Sequence, residues 1–240
     1  MKPPLRIGTA GWSIASRYRD EFPSDGSHLE RYAERLNAVE INSSFYKPHK
    51  VETWQRWAAS TPTGFRFAVK LPKSISHEAG LSGCDAQLDR FMAEVAGLSD
   101  RFGVLLIQLP PKFEWDAEAF EGFMAELRSR SDVPVALEPR HASWFTAEAD
   151  AQLTDLRIAR VAADPAKIPG ADEPGGWRGL AYYRWHGAPR MYYSDYDAAA
   201  LQTLHAQLAE QRRRGIPTWC IFDNTAASAA LGNALALAGR

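Results

Sequence analysis

Short apolar runs alternate along the chain with longer stretches in which apolar residues recur at helical spacing. Each run has five or six residues and is bounded by polar or turn-forming residues, which is typical of buried strands. The stretches between the runs mostly predict amphipathic helices. Eight strands are predicted in this way, at residues 6–11, 38–42, 65–70, 104–108, 133–137, 158–163, 181–185 and 218–222.

This alternation predicts the fold class. Repeated strand–helix units form parallel sheets with right-handed connections. Eight such units in 240 residues fit one α/β domain over residues 1–240, a single (β/α)8 TIM-barrel-like domain. The sixth unit is irregular, because residues 165–179 are rich in proline and glycine and replace most of its helix with loop.

Local signals predict two helix starts and one loop. Ser27 and Glu30 have the spacing of a capping box, which places the start of a helix there. Asp116 is expected to cap the helix that follows the fourth strand. Residues 74–83 are polar and small, and a loop is predicted for them.

Composition and charge narrow the class of protein. The chain is 45% hydrophobic, with 28 basic and 29 acidic residues. Non-specific nucleic-acid binding usually needs an excess of basic residues, which this chain does not have. Nucleic acid remains a candidate partner only if the basic residues form a local patch. Cys84 and Cys220 form no C-x-x-C pair, which suits a reducing compartment. Without a signal-peptide pattern or a long apolar run, a cytoplasmic protein with no membrane partner is expected.

Polar residues end almost every predicted strand, and the stretch 138–144 (E-P-R-H-A-S-W) is the densest. In a parallel barrel these strand ends converge on one face, the C-terminal mouth. We therefore expect the functional site there. The candidate catalytic residues are Glu40, Glu138, His141 and His186, and the candidate substrate-binding residues are Trp12, Asn42, Tyr46, Lys70, Gln108, Arg140, Trp144, Arg184, Asp223 and Asn224.

These residue types suggest acid/base chemistry on an anionic or hydroxyl-rich ligand. Arginines can grip a phosphate or carboxylate with a bidentate fork. Glu40 and Glu138 would transfer protons, with His141 or His186 as partner. The structural alternatives remain open, because Glu40 and Glu138 could equally be buried ion-pair partners and each histidine could be a hydrogen-bonding strut.

Cofactor and metal motifs were sought as well. The glycines at 8 and 11 do not form a G-x-G-x-x-G fingerprint, so no dinucleotide is implied. A metal held by carboxylates and His186 is conceivable, but no H-x-H or H-E-x-x-H spacing supports it. The sequence therefore predicts neither a cofactor nor a metal, and it leaves the oligomeric state open.

A family resemblance runs through the chain in order. It rests on GTAGW at 8–12, EINSSFY at 40–46, KLP at 70–72, QLPP at 108–111, EPRHASW at 138–144, YRWHG at 183–187 and FDN at 222–224. These motifs resemble the YecE-like family, also called domain of unknown function 72. The resemblance implies a TIM-barrel-like fold, a loose kinship with sugar-isomerase-type barrels and no established reaction. Ala10 and Asp223 depart from the family, which more often has Ser and Asn there.

The working hypothesis is an enzyme that acts on a small polar, sugar-like or phosphorylated substrate at the mouth, with isomerase and hydrolase as the candidate classes. The first alternative is a non-catalytic protein that binds a ligand or nucleic acid through the same residues. The second is a metal-dependent isomerase or hydrolase.

Overall fold

The computed structural model describes residues 3–239, and strands and helices alternate through them. The strands are β1 Leu5–Thr9, β2 Ala38–Ile41, β3 Arg66–Lys70, β4 Phe102–Gln108, β5 Val135–Glu138, β6 Ile158–Arg160, β7 Ala162–Asp164, β8 Gly175–Gly176, β9 Ala181–Trp185 and β10 Thr218–Phe222. The helices are α1 His28–Ala33, α2 Ser43–Tyr46, α3 Val51–Ala59, α4 Asp85–Val95, α5 Ala117–Arg128, α6 Ala147–Asp155, α7 Ala198–Arg213 and α8 Ala229–Ala238.

The strands form two sheets. One has the order β1-β10-β9-β7 and is parallel throughout, and the other has the order β2-β3-β4-β5-β6-β8 and is parallel except at β8. A parallel bridge between Ala10 and Glu40 joins β1 to β2, and only Val161 separates β6 from β7. The predicted α/β class with parallel sheets is confirmed.

The predicted sixth strand is wrong as one continuous element. Residues 158–160 pair with β5, whereas residues 162–164 pair with β9. The edge of β6 that β9 would cover is taken by the antiparallel pair Gly175–Gly176. A Cβ at Gly175 would overlap the Arg160 guanidinium, and Gly176 has a φ of +62°. Glycine has no side chain and so permits this close approach. Because β8 occupies that edge of β6, the pairing with β9 begins only after Val161.

The predicted loop at 74–83 also needs correction. Residues Ser74–Glu78 form one π-helical turn. The Ser76 hydroxyl donates to the carbonyl oxygen of Pro72, and the Ile75 side chain is buried. The burial of Ile75 and Leu81 thus accompanies local order in a stretch whose composition indicated a loop.

The predicted helix starts are confirmed. The Ser27 side chain accepts from the backbone of Glu30, whose carboxylate accepts from the backbone of Ser27. Asp116 accepts from the backbone N–H of Ala119 at the start of α5. Each side chain satisfies a backbone donor that has no partner within the helix.

The sheets separate two apolar clusters. The larger cluster packs strand residues such as Val39 and Ile41 against the helices. The smaller one is formed by strand residues or residues directly beside strands, and it lies on the opposite side of the sheets. Because strand side chains alternate between faces, Glu40 lies on the side away from Val39 and Ile41, as the sequence predicts.

Gly8 tests how tightly β1 packs on β2. A Cβ there would overlap the carbonyl oxygen of Ala38, so Gly8→Ala should lower the free energy of unfolding by about 1–3 kcal/mol or more. Gly122→Ala is the control, since nothing lies within 4 Å of a Cβ at that helical site. It should raise stability by about 0.5–1 kcal/mol. Denaturant unfolding measures both, and equal effects would contradict the packing argument.

Candidate functional site

The site continues the face of the sheets that carries the smaller apolar cluster, which we call the inner face. Each of its strand residues lies two positions after an inner apolar residue, so the alternation of strand side chains turns both to the same side. The pairs are Ala38 and Glu40, Ala68 and Lys70, Leu106 and Gln108, Ala136 and Glu138, Tyr182 and Arg184, and Ile221 and Asp223. All six polar members are buried. A polar layer therefore stands directly on the inner apolar layer.

Arg184 lies at the centre of this layer and is 1% exposed. Its Nη2 donates to Oε1 of Glu40 at 2.7 Å and lies 3.0 Å from Oδ2 of Asp223, while Nη1 donates to Oε2 of Glu138 at 2.8 Å. The hydroxyl of Tyr182 donates to Glu40 at 2.9 Å. One guanidinium thus pairs with three buried carboxylates, and the fixed fork of its N–H donors suits such multiple contacts.

His186 lies between two of these carboxylates. Its Nδ1 is 3.0 Å from Oδ2 of Asp223, within hydrogen-bond distance. Its Nε2 is 3.2 Å from Oε1 of Glu138, an ion-pair contact that does not have the geometry of a hydrogen bond. Arg140 donates to the same Glu138 oxygen through Nε and Nη2, at 3.1 and 2.9 Å. Glu138 is therefore shared by Arg184, Arg140 and His186.

The neighbours fix the charge states. Burial alone would raise the pKa of Glu138, but Arg184, then His186 and Arg140, hold that pKa well below its ordinary value. The pKa of Asp223 is lowered in the same way, against burial, by Arg184 and His186. Burial favours neutral His186, yet Glu138 and Asp223 raise the pKa of the imidazole. Opposite charges at contact distance outweigh desolvation here.

Lys70 differs from the other cations of the site. Burial, followed by repulsion from Arg184, lowers the pKa of its amine to about 8, although Glu40, Glu138 and Asp223 act in the other direction. Its Nζ lies 4.1 Å from the centre of the Phe45 ring. Among residues 3–239, no carboxylate is within ion-pair distance of this amine.

A cavity of about 180 Å³ opens beside this cluster. Glu138, Arg140 and His186 line it together with Lys167 and several apolar residues, among them Ile168 and Met191. Larger hollows, of about 460, 440 and 340 Å³, lie elsewhere on the described surface, around Cys84, Tyr46 and Asn37 respectively. We place the site at the smaller cavity, because only there do perturbed acidic and basic groups meet.

Several predicted site residues do not reach this cavity. Trp144 is fully buried and donates to the carbonyl oxygen of Phe113. Asn224 is buried and donates to Ser194 and Asn233. The Nδ1 of His141 accepts from the backbone of Ser143 in the next turn. These three side chains hold the strand exits in place, where the sequence predicts ligand contacts.

Two predicted aromatic contacts lie outside the cavity as well. Tyr46 is 78% exposed and borders the hollow of about 440 Å³. Trp12 packs edge-on against Trp57, with ring centres 5.0 Å apart. Asn42 and Gln108 do belong to the polar layer. The amide of Asn42 lies 3.5 Å from Oδ1 of Asp223, and Gln108 is buried at the end of β4.

Three residues of the site are not predicted from the sequence. Tyr182 shares the face of Arg184, and strand alternation alone could have identified it. The ring of Tyr192 meets His186 edge-on at 5.8 Å. The ring of His77 meets Phe45 at 5.0 Å, and Lys70 and Arg140 contribute to the lowering of its pKa. The last two come from irregular segments, which carry no periodic signal.

The positions of the buried carboxylates and histidines decide whether they can bind a metal ion. Within the described range, no group of three or more His, Cys, Asp or Glu side chains could hold a metal ion. The carboxylates that the sequence offers as ligands form ion pairs with Arg184 and His186 instead.

Within residues 3–239, none of the helices has both the length and the apolar character that a membrane span requires.

Fold and site together define an α/β protein with parallel sheets and a buried ionic cluster at the strand ends. The chain belongs to the family described as protein of unknown function DUF72, whose model matches residues 6–240. The YecE-like resemblance is thereby confirmed. The UPF0759 protein YecE of Escherichia coli (strain K12) is 34% identical over 142 residues, which are 59% of this chain and 50% of that protein. The chain spans about half the length of this curated relative.

Solved structures agree with the family assignment. A DUF72 protein from Enterococcus faecalis V583 superposes with a TM-score of 0.80 at 21% identity, covering 98% of this chain and 94% of that one. A DUF72 protein from Thermotoga maritima MSB8 gives 0.78 at 25% identity and covers 97% of both chains. These similarities show the fold that the chains share.

Arg184→Gln tests the ionic cluster. Carboxylates with a lowered pKa stabilise the fold above their ordinary pKa and lose this effect as pH falls through the lowered value. The variant lacks this contribution, so its free energy of unfolding should fall by about 3–5 kcal/mol near neutrality and by less in acid. Denaturant unfolding at several pH values measures the difference.

Arg90→Gln is the matched control for that experiment. Arg90 is 68% exposed and pairs with Glu94 on one helix, so the loss should stay below about 1 kcal/mol. An Arg184→Gln deficit that does not change with pH would contradict the ionic explanation.

Proposed function

We propose that this protein is an enzyme that acts by acid/base chemistry on a small anionic substrate, sugar-like or phosphorylated, at the mouth of a closed eight-stranded barrel. The observation that carries the proposal is His186, a buried imidazole with a carboxylate at Nδ1 and no hydrogen-bond partner at Nε2. Its ring lines the cavity beside Arg140.

Two junctions support closure of the barrel. The bridge between Ala10 and Glu40 connects the β1 edge to β2, and the backbone N–H of Gly11 donates to the carbonyl of Glu40 at 2.9 Å. At the other side the chain runs directly from β6 to β7, and the backbone of Val161 donates to Leu137 of β5. Strand ends that close a ring converge on one mouth.

His186 has the arrangement of a proton-transfer residue. An ionised Asp223 only accepts hydrogen bonds, so Nδ1 of His186 carries a hydrogen. Nε2, which lies 3.2 Å from Glu138, is the nitrogen that we assign to proton exchange with a ligand. The raised pKa of His186 favours the protonated ring, and in this proposal the protonated Nε2 acts first as a general acid. Asp223 holds the ring in place and stabilises its positive charge.

The cavity suits a small anion. Arg140 and Lys167 line it, and Arg184 lies directly behind Glu138. A volume of about 180 Å³ holds about six water molecules. It accommodates a compound of a few carbon atoms or the anionic end of a longer one.

The two glutamates take different parts in this proposal. Glu40 is fully buried, and Arg184 and Tyr182 occupy its oxygens, so we assign it to holding Arg184 rather than to proton transfer. Glu138 stays ionised because its pKa is low, which makes it a weak base. Its part is to keep His186 protonated and Arg140 oriented. His141, which is bonded to Ser143, is assigned to shaping the loop.

His186→Gln tests the proton-transfer role. Thermal stabilisation by a library of small phosphorylated and carboxylated compounds identifies a ligand, and turnover of that ligand is then measured. The variant should keep binding and lose about 10²–10⁴-fold in kcat. His28→Gln, at an exposed helix start, is the control. Full activity of His186→Gln, or binding of oligonucleotides with no small ligand, would contradict the proposal.

Glu138→Gln tests the charge state through the pH profile. Activity that needs protonated His186 falls as pH rises through the raised pKa of that residue. Without the Glu138 charge this pKa drops, so the fall in kcat should move to lower pH while the variant remains folded. Circular dichroism checks the fold. A variant that unfolds supports the ion-pair interpretation of Glu138, and an unchanged profile contradicts its coupling to His186.

A further inference from the structure

We propose that Lys70 is a nucleophilic amine that captures the substrate as an imine, and that the substrate is a small aldehyde or ketone bearing an anionic group. This inference rests on the proposed function, because it uses the same mouth and the same proton donor. It adds the class of substrate and the bond by which the protein holds it.

The fold places Lys70 firmly at the mouth. It is the last residue of β3, two positions after the inner residue Ala68, and is 7% exposed. The hydroxyl of Ser44 donates to its carbonyl oxygen at 2.7 Å. On one side its amine meets the face of Phe45. The backbone is thus fixed, and the amine keeps a small exposed surface through which a ligand can approach.

No carboxylate within residues 3–239 forms an ion pair with Lys70, although Glu40, Glu138 and Asp223 are near enough to affect its pKa. Arg184 contacts Glu40, Glu138 and Asp223, and His186 contacts the last two. Buried lysines normally have an ionic partner, because an unpaired buried charge is costly. Lys73, three residues later, is exposed and still pairs with Glu78 at 3.1 Å. In the described chain Lys70 is a buried amine whose neighbouring anions are already paired.

This environment makes the amine reactive. Only the neutral form of lysine attacks a carbonyl, and its fraction depends on the pKa. At pH 8 about half of Lys70 is neutral, given its pKa of about 8. At the ordinary value of 10.5 only about 0.3% would be neutral. Desolvated lysines are the usual imine-forming residues of enzymes.

The chemical step balances with groups of this site. The Nζ lone pair forms a bond to the carbonyl carbon, and the carbonyl π pair moves to oxygen, which takes the proton from Nε2 of His186. The nitrogen returns one proton to the imidazole. The hydroxyl then leaves as water with that proton, and a C=N bond with a positively charged nitrogen remains. The net reaction consumes the amine, the carbonyl compound and one proton, and releases one water.

The imine accounts for the other groups at the mouth. A positive nitrogen draws electrons from the neighbouring carbon, whose C–H bond becomes acidic. His186 is neutral after the proton transfer and can accept that proton. Arg140 pairs with the anionic end of the substrate. Isomerisation next to a carbonyl, or cleavage of a carbon–carbon bond, is the reaction class that these parts perform.

Reductive trapping tests the proposal. The full chain is incubated with glyoxylate, an anionic aldehyde, and sodium cyanoborohydride at pH 7.5, and the labelled lysines are identified by peptide mass spectrometry. Lys70 should be labelled about tenfold or more faster than Lys73, since more of it is neutral. Its labelling rate should rise to a plateau above about pH 8.

Four comparisons sharpen this experiment. Formaldehyde, which has no charge, should show a smaller preference for Lys70, and Arg140→Gln should reduce the preference of glyoxylate. Lys73→Arg should leave labelling of Lys70 unchanged. Lys70→Met should remove the fast label and still fold, because it deletes an unpaired buried charge.

Two outcomes overturn the imine and separate it from the proposed function. Glyoxylate labelling of Lys70 that is no faster than that of Lys73 excludes a reactive amine. Labelling with no pH plateau near 8 excludes the lowered pKa as its cause. If either occurs while His186→Gln still abolishes turnover, the imine fails and the proposed acid/base function stands. If Lys70 is labelled fast in His186→Gln as well, the imine stands and His186 is not its proton donor.

Discussion

The buried guanidinium of Arg184 is the group on which the site depends. Three carboxylates are buried together, and buried ionised carboxylates are stable only beside a positive charge. Arg184 meets all three at 2.7–3.0 Å. The residues that bring them together come from β2, from the end of β5 and from the turn after β10. The cluster thus ties distant parts of the chain to one point.

The strands position this cluster through the alternation of their side chains. An apolar inner layer that includes Ala68, Ala136 and Ile221 supports a polar layer two residues further along each strand. The small alanines leave room for the long side chains above them. Burial of the polar layer follows from the same geometry, because the apolar layer below and the loops above exclude water. The perturbed pKa values of the site are a consequence of that exclusion.

The pairing of charges also determines which groups remain reactive. Glu40 and Asp223 are engaged by Arg184, and Glu138 is further neutralised by Arg140. Among the described residues, Nε2 of His186 makes no hydrogen bond, and the amine of Lys70 lies against the ring of Phe45 without an ion-pair partner. In the two proposals these groups act as the acid and the nucleophile, and His186 lines the cavity together with Arg140 and Lys167. For a member of this family of unknown function, the contrast between paired and unpaired groups indicates which substrates to test first.

The sequence by itself determined the strands, their parallel order and the polar residues at their ends, because these follow from local periodicity. It also placed Glu40 on the face away from Val39 and Ile41. Tertiary structure decided which polar residues meet. Trp144 turned into the core, since its indole found a backbone carbonyl there. Glu40 became the partner of Arg184, 144 residues away. The division of the sixth strand likewise required a glycine pair from a distant loop, and local patterns carry no information about contacts across such separations.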